Sequence, residues 1–95
     1  MKTDEIINAV VGIARDFHGI KRVIVFGSAA RGDEGRGSDL DVAVEGEFDY
    51  YQLDERIKGE IDTLRTIDIV EYDEVKSRRF KEEIDRYGRV VYSKA

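Results

Sequence analysis

From Ser38 to Glu45 the sequence alternates: Leu40, Val42 and Val44 fall on one side of an extended chain, and Asp39, Asp41, Ala43 and Glu45 on the other. That is the period of a half-buried strand, which needs a sheet beside it and a layer over its apolar face. Val23-Ile24-Val25-Phe26 supplies a neighbour, a short β-branched apolar run ended by Gly27, as expected for a strand covered on both faces. Ile67-Asp68-Ile69-Val70 reads as a third strand.

The covering layer comes from helical segments. Thr3 is a hydroxyl N-cap followed by Asp4 and Glu5, whose carboxylates suit the unpaired N–H groups and the positive end of the dipole. Ile6, Ile7, Val10, Val11, Ile13, Ala14 and Phe17 recur at helical spacing until Gly19, which predicts a helix over about 3 to 17. Asp49 caps a second helix, with Leu53, Ile57, Ile61 and Leu64 as its apolar stripe. Asp73 caps a last one through about Tyr87, carrying Val75, Phe80 and Ile84, before Gly88 and a short extended tail from Arg89 to Tyr92. This order predicts a single α+β domain over residues 1–95: a small mixed β-sheet with helices packed on one face. The opposite face stays partly open, and Asp39 and Asp41 point into it.

A chain of 95 residues has room for one modest core and none for a separate substrate domain of ordinary size. Further surface must come from a partner or a second copy, as in a homo-oligomer. Sixteen Lys plus Arg against twenty-one Asp plus Glu leave a net charge of −5, which argues against nucleic acid as the default ligand. The absence of Cys excludes disulfides and thiolate metal sites, and a cytoplasmic setting is the simplest expectation. No apolar run approaches the length that crosses a bilayer, so no membrane association is expected.

The strongest chemical signal lies between Gly27 and Val44. Carboxylates at i and i+2 of a strand share a face, so Asp39 and Asp41 can jointly ligate hard divalent cations; magnesium, bound by one or two carboxylates plus substrate phosphates, suits that supply. In two-metal phosphoryl transfer such ions contact the attacking and leaving oxygens. Asp68, an acid inside an apolar strand, is costly to bury without a partner and is the candidate third carboxylate. Gly27-Ser28 follows a buried strand and can open a helical turn, so that backbone N–H groups and the Ser28 hydroxyl meet a phosphate. The loop lacks the Lys and spacing of a Walker A motif.

These residues closely resemble the signature of the DNA polymerase β-like nucleotidyltransferase superfamily, in particular its minimal (MNT) members. The pattern runs Gly-Ser, one variable residue, Ala-Arg-Gly, five variable residues, then Ser-Asp-x-Asp, with a further Asp on a later strand. Here it is met by Gly27-Ser28, Ala29, Ala30-Arg31-Gly32, Asp33 to Gly37, Ser38-Asp39-Leu40-Asp41 and Asp68. The resemblance implies transfer of a nucleoside monophosphate, most often from ATP, to a hydroxyl, with two Mg2+ ions. It implies triphosphate binding by Gly27 and Ser28, with Ser38 in the same signature. Metal binding would fall to Asp39 and Asp41, and Asp68 would complete the metal site and activate the acceptor. Arg31 and Arg36 are candidate phosphate contacts, and Arg31 can equally hold the loop by pairing with a carboxylate.

Many MNT proteins resemble antitoxins that silence a HEPN-domain RNase by attaching AMP to one of its tyrosines, the arrangement of a type VII-like pair. Small size fits that role, since a protein acceptor brings its own surface. The alternatives are nucleotidyl transfer to a small molecule such as an aminoglycoside, and an antitoxin that acts by binding without chemistry. Among other polar residues, Glu45 reads as a solvated strand end and His18 as a helix-end contact. Lys76 to Arg79 reads as a solvated helix face, and the five tyrosines as packing or surface residues.

Overall fold

The computed structural model describes residues 2–27 and 39–94. Helix α1 (Thr3–Ala14) leads into strand β1 (Ile20–Phe26) and then β2 (Leu40–Gly46). Helix α2 (Tyr50–Glu60), β3 (Ile67–Glu71), a 3-10 turn (Tyr72–Glu74), α3 (Arg78–Tyr87) and β4 (Arg89–Ser93) follow. The sheet order is β3-β2-β1-β4. β1 runs antiparallel to β2 and to β4, while β2 and β3 are parallel, so the sheet is mixed. The α+β class expected from the alternation of elements is the one observed.

Strand parity decides where each side chain goes. Val23 and Val25 of β1, with Leu40, Val42 and Val44 of β2, face Ile6, Ile7, Val10 and Ile13 of α1 and Leu53 and Ile57 of α2. Each such aliphatic side chain, once buried, stabilises the fold by about 1.5–3 kcal/mol before chain entropy is counted. The other face has a smaller cluster. Ile24 and Phe26 of β1 and Ala43 of β2 pack with Tyr72 and Ile84, and Phe80 lies edge-on to Phe26 at 5.7 Å between ring centroids. Helix α3 therefore crosses to the face that carries the aspartates and covers part of it. The β1 run is covered on both faces, as its composition requires.

Several local expectations change. Thr3 lies inside α1, and Lys2 precedes it as the cap, its N–H donating to Glu5 Oε1 at 3.0 Å. The Thr3 hydroxyl is buried and accepts from Arg65 Nη1, a long-range bond that outcompetes capping. Asp49 does cap α2, accepting from Gln52 N at 3.1 Å. The helix ends at Glu60, however, so Leu64 leaves the stripe and is fully exposed. Ser77, not Asp73, caps α3, accepting from Phe80 N at 3.2 Å; Asp73 instead accepts from Gly46 N at 3.0 Å and pins the end of β2. The tail after Gly88 joins the sheet as β4, a long-range pairing with β1 that local pattern does not encode. Among the described residues no helix is long and apolar enough to cross a membrane.

Candidate active site

Three strands bring three candidate residues to one end of the sheet. Phe26, the last residue of β1, pairs with Asp41 of β2, and Asp41 pairs with Asp68 of β3. Gly27 follows Phe26 directly, and Asp39 precedes the first residue of β2. Across the sheet the order is Gly27, Asp41, Asp68, on the face opposite α1 and α2. Ser28, Arg31, Arg36 and Ser38 lie outside the described residues.

Gly27 has a φ of 74°, which L side chains rarely adopt. Its bare α-carbon is also in use: a Cβ placed there would lie 2.6 Å from Asp41 Oδ2. The carboxylate occupies the space that a side chain at position 27 would need. Gly27 and Asp41, two residues of the signature, thus share one space.

Asp41 is half-buried, while Asp39 and Asp68 are exposed. Burial first, then the negative charges of Asp68 and of Asp39, raise the Asp41 carboxyl above its ordinary value. No described cation offsets those charges on it. Both other aspartates are near enough to repel Asp41, as strand parity predicts. Among the described residues, however, no three His, Cys, Asp or Glu side chains stand close enough together to form a ready metal cage. The donor chemistry still suits a hard cation, because oxygen ligands that repel one another gain from a divalent ion between them.

The same face has a second charged group that local sequence reading does not reveal. Glu45 is half-buried and paired rather than simply solvated: its Oε1 accepts from Arg22 Nε at 2.6 Å. The Arg22 guanidinium lies 5.3 Å from the centroid of the Tyr72 ring, and the Tyr72 hydroxyl donates to Asp85 Oδ1 at 2.6 Å. Arg22 and Glu45 are opposite each other in the β1/β2 register, and strand pairing was the one signal that could have found them. His18 is exposed, and its carbonyl accepts from Lys94 Nζ at 2.6 Å. The segment from Lys76 to Arg79 is exposed; Lys76 precedes α3, Ser77 caps it, and Arg78 and Arg79 begin it.

A family model described as polymerase beta, nucleotidyltransferase, matches residues 8–95. No curated protein matches the chain. A crystal structure of a toxin-antitoxin with AMP-PNP is similar over 93% of this chain and 73% of its own, with 21% identity and a TM-score of 0.76. A mutant of the toxin-antitoxin MntA-HpeT is similar over the same shares, with 18% identity and a TM-score of 0.74. At these identities the likeness is one of fold.

Proposed function

The chain belongs to the polymerase beta nucleotidyltransferase family, and from that premise we propose that it transfers AMP from ATP to a tyrosine hydroxyl of a HEPN-domain RNase, as the cytoplasmic antitoxin of that toxin. The observation that carries the reading is the state of Asp41: half-buried, its carboxyl raised by that burial and then by Asp68 and Asp39, and filling the space beside Gly27. Carboxylates left in mutual repulsion on an open face suit a cation-dependent phosphoryl site better than a structural one. The similar folds include a toxin-antitoxin with AMP-PNP, which supports both the nucleotide and the kind of partner.

The residues then divide the work. Gly27 and Ser28 hold the triphosphate through backbone N–H groups and the serine hydroxyl, with Arg31, Arg36 and Ser38 as further phosphate contacts. Asp39, Asp41 and Asp68 are the ligands for magnesium, which when bound supplies positive charge against the negative charge that develops on the phosphates. Asp68, exposed on the edge strand, takes the proton of the acceptor hydroxyl. The acceptor oxygen forms a bond to the α-phosphorus as the bond from that phosphorus to the β-phosphate bridging oxygen breaks, and pyrophosphate leaves.

Intact-mass measurement of a HEPN-domain partner after incubation with this protein, ATP and magnesium tests the reading. A gain of one or more AMP units, lost in Asp41→Asn, is the expected result. An unchanged mass, with neutralisation of the partner preserved, would replace chemistry by binding.

A further inference from the structure

On the aspartate face the sheet is laid out in rows. Phe26, Asp41 and Asp68 form the row at the site end, and Ile24, Ala43 and Val70 the row behind it. Helix α3 lies over the second row, where Ile84 joins the cluster of Ile24, Phe26, Ala43 and Tyr72. Phe80 comes four residues before Ile84 in the same helix, a rise of about 6 Å, which matches the spacing of about 6.5 Å between the two rows. Phe80 accordingly reaches the carboxylate row. Its ring centroid is 5.7 Å from that of Phe26, the strand neighbour of Asp41 and the residue before Gly27. The two ring planes meet at 73°, so neither ring stacks on the other, and Phe80 is only partly buried.

The nucleotidyltransferase reading, on which the inference rests, sends pyrophosphate toward Gly27 and brings the acceptor from Asp68. The bonds that form and break at the α-phosphorus then run along the first row. The nucleoside oxygen takes part in neither bond and leads the ribose across the row; over the aspartate face, that path meets Phe80. We propose that the nucleobase of the donor stacks on the exposed part of the Phe80 ring, which makes the first turn of α3 a base-binding subsite. An aromatic side chain gains from any base, since every base has a π-face, so this subsite holds the nucleoside without reading its edge. Phe26 contributes by holding the Phe80 ring edge-on.

Two probes separate the subsite from the reaction: α,β-methylene ATP, which cannot release pyrophosphate, and inorganic tripolyphosphate, which has no base. Each is titrated with magnesium into the wild type, Phe80→Leu and Phe80→Trp by calorimetry, and thermal melts check that the variants fold. The expected result is a loss of about fivefold or more in α,β-methylene ATP affinity in Phe80→Leu, with tripolyphosphate affinity unchanged. Phe80→Trp should keep nucleotide affinity. The chain has no tryptophan of its own, so the fluorescence of that variant should be quenched by the nucleotide and not by tripolyphosphate. A Phe80→Leu protein that binds the nucleotide as the wild type does, or loses affinity for both probes alike, overturns the proposal and leaves Phe80 as a packing residue of α3. Quenching by both probes alike does the same. Base-dependent binding with no AMP transfer to any acceptor sinks the enzymatic reading and leaves the subsite standing. AMP transfer by the wild type, with nucleotide affinity intact in Phe80→Leu, keeps the enzyme and removes the subsite. A wild type that binds neither probe overturns both.

Discussion

Asp41 and Glu45 stand four residues apart on the same face of β2, yet they are treated oppositely. Glu45 pairs with Arg22 across the β1/β2 register at 2.6 Å, and that cation in turn lies over Tyr72, whose hydroxyl is held by Asp85. Asp41 faces two further carboxylates and the space at Gly27, and burial first, then the charges of Asp68 and Asp39, raise its carboxyl. Among the described residues, charge is balanced at one end of the strand, while at the other no cation offsets the mutual repulsion of the carboxylates. The contrast teaches that acidity alone does not mark a site. A strand-face carboxylate with a guanidinium opposite is structure, whereas one that repels its neighbours is stable only on terms that a bound cation improves.

The largest expected effect comes from removing the unbalanced charge. Asp41→Asn should lower the transfer rate by about 10³-fold or more, given what electrostatic stabilisation contributes to phosphoryl transfer; a steady-state assay of AMP incorporation measures it. Gly27→Ala is next. The added methyl group displaces the Asp41 carboxylate, the flexible partner, so the loss falls on activity, by about 10²-fold, with a backbone cost of about 1–2 kcal/mol for the left-handed conformation. Equal activity in Gly27→Ala would mean that the contact does not position the carboxylate.

Magnesium sharpens the comparison at a smaller scale. At ten times its dissociation constant it should stabilise the wild type by about 1.4 kcal/mol and leave Asp41→Asn unmoved in a thermal melt. At the balanced end, Arg22→Ala should cost about 1 kcal/mol of stability, because the pair is partly exposed and the guanidinium contact with Tyr72 goes with it. Transfer activity should hold within about threefold, since no reacting group is touched. A loss of activity as large as that of Asp41→Asn would erase the distinction between the two ends.

The smallest effect concerns pH. A raised carboxyl binds its proton more tightly in the folded state, so Asp41 favours the fold below the ordinary carboxylate range. It loses that contribution as pH rises through its shifted value. At neutral pH without metal, Asp41→Asn should therefore melt slightly higher than the wild type, by roughly 1–4 °C, and the difference should shrink as pH falls toward 3. Melting curves across that range check both sign and window.

Much of this was legible before any coordinates. Parity alone put Leu40, Val42 and Val44 in the core and Asp39, Asp41 and Glu45 on the other face, because side-chain direction in a strand depends only on counting. The Asp49 cap followed from local chemistry in the same way. What escaped was long-range. The pairing of Arg22 with Glu45 spans 23 positions, the bond from Arg65 to Thr3 spans 62, and the docking of Arg89–Ser93 onto β1 closes most of the chain. Asp73 illustrates the reason: its short side chain suits a helix cap or a strand end equally well, and tertiary placement of Gly46 chose the second.

The contact between Gly27 and Asp41 carries a consequence for how such a protein can change over generations. Positions 27 and 41 share one volume, and the residue at one sets what the other can be. A lineage that acquires a side chain at 27 meets the penalty at 41 at once, and restoring the carboxylate's place needs a second, compensating change in the β1–β2 pairing. The two codons are therefore inherited as one trait, and drift at either alone is a step down.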